Sequence, residues 1–343
     1  MAEHSAIEWC DSTWHPTVGC SVVSPGCTNC YAMKMAHRIE AMHPGSHYAG
    51  LTRMVNGQAV WTGEVRAAPS RIFTAPMRWR KPKRVFVNSM SDLFHSDVPD
   101  EVIDSVFAVM ALAPQHTFQV LTKHPARMRE WFFERWQPTP ARTICGLHIP
   151  AGGESGRMNQ IEQACEPLMD QFGLNNTDRD ELWTPHGKCL AMEWTWPLSN
   201  VWLGVSAEDQ ARADERIPDL LATPAAVRFV SAEPLLGPVD LTMLHYDGVT
   251  NINALAGTHG MTFSADCAQL DWVIVGGESG PNARPSSIKW ARSIVAQCKA
   301  AGVKIFVKQL GSNTGLNLRD RNGRDWNEWP EDSRVREFPD AIG

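Results

Sequence analysis

Six short runs of β-branched and aromatic residues recur along the chain, and each ends in small or polar residues. Such continuous apolar runs predict strands that are buried on both faces, as in parallel sheets. A seventh strand is predicted near the start of the chain, within residues 11–18. The six runs are 84–89, 118–123, 201–206, 227–232, 271–276 and 303–308.

The segments between these runs have the spacing of helices. In residues 99–113, Pro99 suits a first turn and apolar side chains recur every three or four residues. Residues 286–301 begin with Ser286, a good N-cap, and end before Gly302. Strand and helix therefore alternate about six times, which predicts an α/β fold, either a barrel or a doubly wound sheet. Further helices are predicted at 30–42, 125–136 and 207–222.

Polar residues and glycines follow nearly every predicted strand. In α/β barrels the active site is built at this edge of the sheet. A single pair of such residues would be explained by capping of the next helix, but six in series favour a shared polar mouth. The residues concerned are Ser89, Ser91, Asp92, Lys123, His124, Ser206, Glu208, Glu233, Gly276, Gly277, Glu278, Lys308 and Gln309.

Several of these side chains suit particular ligand groups. Lys123 and His124 are candidates for binding a substrate carboxylate or phosphate, with capping of the barrel rim as the alternative. Glu208 is a candidate acceptor for ribose hydroxyls, or a first-turn acid that complements the helix dipole. Lys308 and Gln309 end the last strand and are candidate substrate-binding residues.

Proline and glycine set the backbone conformation at two of these strand ends. Glu233 is followed by Pro234, which fixes the turn and aims the carboxylate into the mouth. Gly276 and Gly277 allow a ligand to approach the backbone closely, and Glu278 follows them. These residues are candidates for cofactor binding.

Composition narrows the class of protein. Of 343 residues, 43% are hydrophobic and 20% charged, as in folded globular proteins. No apolar run approaches the roughly 20 residues of a membrane span, and the first residues lack the pattern of a signal peptide. We therefore expect a cytoplasmic protein without a membrane partner. A net charge of −6 argues against duplex binding by the whole surface.

One basic run and two insertions interrupt this regular pattern. Residues 78–84 carry five Lys or Arg around Trp79, which is a candidate nucleic-acid contact or a solvated surface. Residues 137–199 and 241–270 are longer than a single helix requires, which indicates insertions that cover the mouth, bind a partner or elaborate the surface. We predict one barrel-like domain over 1–343, with a C-terminal extension at 311–343.

Three cysteines lie close together in a C-x6-C-x2-C pattern, at Cys20, Cys27 and Cys30. Three thiolates from one loop hold three corners of a metal centre, whereas structural zinc takes four protein ligands. Thiolates suit iron–sulfur clusters or zinc. The spacing favours an iron–sulfur cluster with an open corner, and the alternatives are unligated thiols or zinc with a fourth ligand from Cys10, His15 or His37.

The cysteine segment also carries a family resemblance. Residues 14–20 and 27–32 resemble the opening of an uncharacterised, phage-associated family with a three-cysteine motif. The genomic neighbours of that family are described as three-Cys-motif partners, which implies a protein partner encoded nearby. Further matching strings lie at 88–95, 120–123, 202–206, 230–237 and 275–280.

The motif and the predicted barrel are similar to those of radical S-adenosylmethionine enzymes. This resemblance implies that Cys20, Cys27 and Cys30 bind three irons of a 4Fe–4S cluster and that S-adenosylmethionine chelates the fourth. An electron donor then drives cleavage of a sulfur–carbon bond, and the radical abstracts hydrogen from a substrate. The first cysteine gap is six residues instead of the usual three, and the Gly-Gly-Glu element follows a late strand. Residues assigned to the amino group of the cofactor are therefore Ser89, Ser91 or Asp92.

The sequence thus predicts a radical-SAM-like partial TIM barrel of six or seven parallel strands. The expected activity is radical modification of a substrate, with a nucleobase or nucleic acid as the leading class. The alternative is a non-catalytic barrel, stabilised by zinc or a cluster, that binds a partner. A metal-assisted hydrolase is a third class, but His95 and His124 are too few ligands to support it.

Overall fold

In a computed structural model, residues 5–133, 142–144, 147–149, 156–172, 196–246, 250–260 and 268–340 are described. The strands in chain order are β1 (Ser12–Trp14), β2 (Thr17–Val18), β3 (Thr52–Val55), β4 (Gln58–Trp61), β5 (Arg66–Ala67), β6 (Arg84–Val87), β7 (Thr117–Thr122), β8 (Arg142–Ile144), β9 (Leu147–Ile149), β10 (Val201–Ser206), β11 (Val227–Ala232), β12 (Leu244–Tyr246), β13 (Thr250–Asn253), β14 (Thr258–His259), β15 (Trp272–Gly276) and β16 (Lys304–Gln309).

Helices connect most of the long strands. They are α1 (Tyr31–Met42), α2 (Ser70–Phe73), α3 (Asp100–Ala111), α4 (Pro125–Phe133), α5 (Gly156–Phe172), α6 (Gln210–Ala222) and α7 (Ile288–Ala301). Short 3₁₀ turns occupy Pro25–Cys27, Ala75–Arg78, Trp326–Glu328 and Glu331–Ser333. Among the described residues, no helix has both the length and the apolar character needed to cross a bilayer.

Seven strands form a single parallel sheet in the order β1-β6-β7-β10-β11-β15-β16. Each strand pairs with the next of these strands along the chain, whereas a doubly wound sheet reverses its order at a switch point. The sheet is therefore a half-barrel with β1 and β16 at its two edges. The predicted α/β class and the partial barrel of six or seven parallel strands are confirmed, and the number of strands is seven.

Alternate residues of these strands face opposite sides of the sheet. Val85, Val87 and the residues of neighbouring strands that face the same side pack against the helices in the main core. The inward residues at the amino ends are mostly aromatic and form a second cluster around Trp272. This inner cluster comprises Trp9, Cys10, Phe86, Trp202, Val227, Phe229, Trp272, Ile274 and Phe306. Because it fills the amino end of the concave face, the polar inward side chains lie toward the carboxyl end.

Gly204 is the residue of β10 that lets the inner ring of Phe229 pack against the strand. A Cβ at this position would lie 2.5 Å from two atoms of that ring. We expect Gly204→Ala to lower the free energy of unfolding by about 1–3 kcal/mol, since an extra methyl in a packed core forces its neighbours apart. Urea denaturation measures the change. Gly237→Ala is the control, because its Cβ would lie 3.7 Å from Asp209 Cβ. Equal unfolding midpoints for the two variants would contradict this packing argument.

The predicted insertions contribute to the core where they are described. In the first, α5 packs against α3, and buried Arg157 pairs with Asp104 at 2.6 Å. Most of the remainder of 137–199 lies outside the described residues. In the second, β12, β13 and β14 form a small antiparallel sheet, and Leu244 and Ile252 join the main core. Both segments are therefore more than surface loops.

The C-terminal extension covers the free edge of β16. The amide of Val307 donates to Val335 O, and that of Glu337 donates to Ile305 O, both at 2.9 Å. Phe338 then packs on the inner cluster, with its ring centroid 5.5 Å from that of Trp272. The extension thus lies along the sheet edge and reaches the aromatic interior.

Candidate metal centre at the carboxyl end of the half-barrel

The three cysteines lie on the segment between β2 and α1, called here the cysteine loop (residues 19–30). Gly19 begins it with a φ of +90°, and a Cβ there would overlap the carbonyl oxygen of Glu64. A 3₁₀ turn follows at Pro25–Cys27, and Cys30 is the residue before α1. The loop therefore needs glycine at its start, and it presents its last thiol at a helix N-terminus.

Glu208, just after β10, anchors the middle of the cysteine loop. Its Oε1 accepts a hydrogen bond from the Gly26 amide at 3.0 Å, and its Oε2 pairs with Arg216 at 3.1 Å. Burial alone would raise the pKa of Glu208, but the Ser24 hydroxyl, Arg216 and the Gly26 amide hold that pKa below its ordinary value. The carboxylate is therefore charged and already bonded to the protein.

Glu278, just after β15, anchors the other end of the loop. It accepts from Asn29 Nδ2 at 3.0 Å and pairs with Arg284 at 2.6 Å. Arg284 also donates to Pro25 O at 2.7 Å. Burial opposes ionisation of Glu278, but hydrogen bonds from Arg284 and Asn29 hold its pKa below the usual range. Both Glu208 and Glu278 are hydrogen-bonded to the cysteine loop. Their direct contact with a cofactor stays a prediction.

The chain after β6 holds the remaining side of the loop. Ser89 O accepts from Tyr31 Oη at 2.9 Å, and the Ser89 hydroxyl is 3.1 Å from His15 Nε2. Ser91 donates to Gly19 O at 2.7 Å. The predicted cofactor residues Ser89 and Ser91 therefore lie beside the cysteine loop and take part in fixing it.

Asp92 lies next to these serines, and its carboxylate links the segment after β6 to the end of β7 by hydrogen bonds. It accepts from Thr122 Oγ1 at 2.6 Å, from the Lys123 amide at 2.8 Å and from the Phe94 amide at 3.1 Å. Three donors thus occupy the carboxylate predicted to bind the amino group of a cofactor. Asp92 is also close enough to Cys20 for its charge to act on that thiol.

The three thiols influence one another electrostatically. Burial raises the pKa of Cys20, and the charges of Asp92, Cys30 and Cys27 raise it further. Burial also raises the pKa of Cys30, whereas neighbouring amides and Lys123 lower it. The Cys20, Cys27 and Cys30 side chains therefore share one small region, and the Lys123 ammonium faces it.

A single metal ion and an iron–sulfur cluster place different demands on the spacing of the three thiols. Within the described parts of the chain, no group of three or more His, Cys, Asp or Glu side chains could hold a single metal ion. In an iron–sulfur cluster each cysteine binds a different iron, so the thiols stand farther apart than the ligands of one ion. Binding of an iron–sulfur cluster or of zinc by these thiols therefore stays a prediction.

The proposed fourth zinc ligands lie elsewhere or have other partners. Cys10 belongs to the inner aromatic cluster and donates to Ser5 Oγ at 3.2 Å. His15 contacts Ser89, as described above, and His37 Nδ1 is 3.3 Å from Thr52 Oγ1. Within the described residues, the structure therefore does not bring these three side chains into a common site with the cysteines.

Two pairs of polar side chains line the concave face at the carboxyl end. Lys123 Nζ donates to Ser206 Oγ at 3.0 Å, and Lys308 Nζ pairs with Glu233 Oε1 at 3.1 Å. A Cβ on Gly276 would overlap the Glu233 carboxylate, so glycine makes room for this pair. Five predicted site residues are thus brought together at the carboxyl end of the concave face, as the strand-end pattern predicts.

The comparisons with known proteins place the chain in a family. A family model described as a protein of unknown function, DUF5131, matches residues 4–332. The chain belongs to DUF5131. The matched range includes the cysteine loop and all seven strand ends, and the family is uncharacterised, as the sequence resemblance implied. No curated protein and no solved structure matches the chain.

Three other predicted residues of this DUF5131 chain have structural contacts. Gln309 Nε2 donates to Gly277 O at 2.9 Å, and Gln309 Oε1 accepts from Arg324 at 3.2 Å. Gly277 lies so close to Leu310 O that a Cβ would overlap it. His124 packs its ring 5.5 Å from that of His95. Substrate or cofactor contact by these residues stays a prediction.

The basic run, residues 78–84, lies at the amino ends of the strands, away from the polar carboxyl ends. Arg84 begins β6 and pairs with Asp11 at 3.1 Å, and Lys83 Nζ stacks 4.9 Å from the Trp79 ring. Because amino and carboxyl strand ends lie at opposite edges of a parallel sheet, this run does not join the cysteine loop. Its binding to nucleic acid stays a prediction.

Sequence reasoning missed the residues that fix the loop in the DUF5131 chain. Arg216 and Arg284 neutralise its two anchoring carboxylates, and Gly26 leaves room for the Glu208 carboxyl group, from which a Cβ would lie 3.0 Å away. A signal was present, since each arginine follows its glutamate by six or eight residues. Nothing in that spacing shows that both pairs would meet the same loop.

Proposed function

We propose that this DUF5131 protein binds a 4Fe–4S cluster through Cys20, Cys27 and Cys30 and binds S-adenosylmethionine beside it. The proposed activity is radical modification of a substrate, with a nucleobase or nucleic acid as the leading class. The supporting observation is that the cysteine loop is anchored by Glu208 and Glu278 across the polar carboxyl end of a half-barrel. In barrels, ligands bind at this end.

The chain's own residues provide the environment for such chemistry. The anchors hold the loop in place, because loss of either carboxylate would free a loop amide or side chain. When bound, the cluster supplies one-electron chemistry to the sulfonium of S-adenosylmethionine. Lys123 and Ser206 offer hydrogen-bond donors on the concave face, and the Lys308–Glu233 pair offers a further charged contact. The inner aromatic cluster excludes water from the far end of the concavity.

The test is anaerobic reconstitution with iron and sulfide, followed by electron paramagnetic resonance of the reduced protein. We expect about four irons per chain and a spectrum that changes when S-adenosylmethionine is added, because the cofactor would bind the iron without a cysteine. The Cys20→Ser variant is the matched control, since it keeps the fold and removes one ligand. A colourless protein with one tightly bound zinc would refute the proposal.

A second candidate function is a cluster-stabilised barrel that binds a partner without catalysis. It is favoured by one observation, namely that Glu208 and Glu278 bond the loop and are not left open to a ligand. The same experiment separates the two functions. A reconstituted cluster whose spectrum is insensitive to S-adenosylmethionine would support the non-catalytic role.

A further inference from the structure

Among the described residues, the carboxyl end of the half-barrel includes the basic side chains of Arg216, Arg284, Lys308 and Lys123. Three of them form ion pairs that neutralise their charge, whereas the fourth, Lys123, forms none within the described part of the chain. The three pairs are Arg216 with Glu208, Arg284 with Glu278, and Lys308 with Glu233.

The Lys123 ammonium has a neutral partner. Its Nζ donates to Ser206 Oγ at 3.0 Å, and the carboxylates of Glu208, Glu278 and Glu233 are paired with the three other cations. Asp92 is the acid next to it, but the carboxylate of Asp92 accepts from the Lys123 main-chain amide and from Thr122 and Phe94. Asp92 is therefore bonded to the main chain of Lys123, whereas the Lys123 ammonium is bonded to Ser206.

Strand register places this ammonium on the concave face. Thr122 pairs with Val205 across β7 and β10, and both side chains are buried on the sheet. The next residue on each strand, Lys123 and Ser206, therefore faces the opposite side. Ser206 is in turn paired with Ser231 of β11, so the ammonium lies along the same wall as the Glu233–Lys308 pair.

A partly buried ammonium whose partner is neutral pays a desolvation cost, because burial removes water and one hydroxyl replaces only part of that hydration. An anionic oxygen would supply the missing charge, and the Ser206 O–H could donate to the same oxygen. We propose that Lys123 and Ser206 form a binding site for an anionic group of the ligand in the concave face, either a carboxylate or a phosphate. This inference rests on the proposed function, since the ligand is the one proposed to bind beside the cysteine loop.

The two anion sources are separated by paired probes in binding calorimetry on the reconstituted full chain. S-adenosylmethionine is compared with decarboxylated S-adenosylmethionine, and adenosine 5′-monophosphate with adenosine. We expect the native protein to prefer the anionic member of one pair. In Lys123→Met that preference should fall by about tenfold or more, because a charge-assisted hydrogen bond is lost.

The controls separate charge from packing and from cluster loading. Lys123→Arg keeps the charge and should retain most of the preference, and Lys289→Met removes an exposed lysine of α7 without effect. Iron content and the melting temperature of each variant are measured in parallel. The inference is overturned if the native protein prefers the anionic member of neither pair, or if Lys123→Met keeps the preference. If either outcome occurs while iron loading is normal, the proposed cluster still stands. If the native protein fails to bind iron on reconstitution, the proposed cluster is refuted but the anion site is not.

Discussion

Replacing any one of Cys20, Cys27 and Cys30 with serine is expected to reduce the iron content of the reconstituted protein to background. The three thiols lie on one loop, where the charges of Cys27 and Cys30 act on Cys20. Two thiolates cannot replace three, since each cysteine would hold a different iron. Iron and sulfide assays after anaerobic desalting measure the loss.

The matched controls are cysteines that lie away from the loop. Cys298 is buried on α7 and Cys10 lies in the inner aromatic cluster, so Cys298→Ala and Cys10→Ala should retain the iron of the native chain. Circular dichroism of all variants shows whether the fold survives. Native iron content in all three loop variants would mean that the cluster ligands lie elsewhere.

Glu208→Ala is expected to destabilise the fold by about 3–5 kcal/mol, because it leaves a buried cation without its partner. The Glu208 and Arg216 side chains are 0% and 2% exposed, and their charged atoms are 3.1 Å apart. The substitution also removes the acceptor of the Gly26 amide, so the cysteine loop loses its central anchor. Urea denaturation measures the free energy of unfolding.

Asp209→Ala is the neighbouring control for this second prediction. Asp209 is the N-cap of α6, where its side chain accepts from the Arg212 amide, and loss of such a cap costs about 1 kcal/mol. The difference between the two variants therefore reports the buried pair and the loop anchor. If Glu208→Ala were no more destabilising than Asp209→Ala, the Glu208 carboxylate would not hold Arg216 and the loop.

Much of the fold follows from the sequence because the seven strands are buried on both faces. A strand such as β10 is recognisable from the run 201–205, which has no polar side chain and is followed by Ser206, and this pattern needs no knowledge of its neighbours. The strand-end pattern also predicts that Lys123, Ser206, Glu233 and Lys308 lie at one edge. Each of these residues follows or ends a parallel strand, so topology alone brings them together.

The remaining features depend on contacts between segments distant in sequence. Helix α5 contains Pro167 and has many polar residues, so its packing against α3 is not evident from periodicity. Likewise, Glu208 and Glu278 are strand-end acids in sequence, but only the folded chain shows that Gly26 and Asn29 bond them. The identity of a hydrogen-bond partner is set by tertiary packing, which local patterns do not encode.

The hydrogen bonds between residues 335–337 and β16 also protect the protein against self-association. An uncovered edge strand offers unpaired amide and carbonyl groups to another chain, and this is a common route to aggregation. Here the edge groups of Ile305 and Val307 are used within the molecule, and Phe338 stays against the inner aromatic rings. The C-terminal segment thus prevents β16 from pairing with a neighbouring copy in an intermolecular sheet.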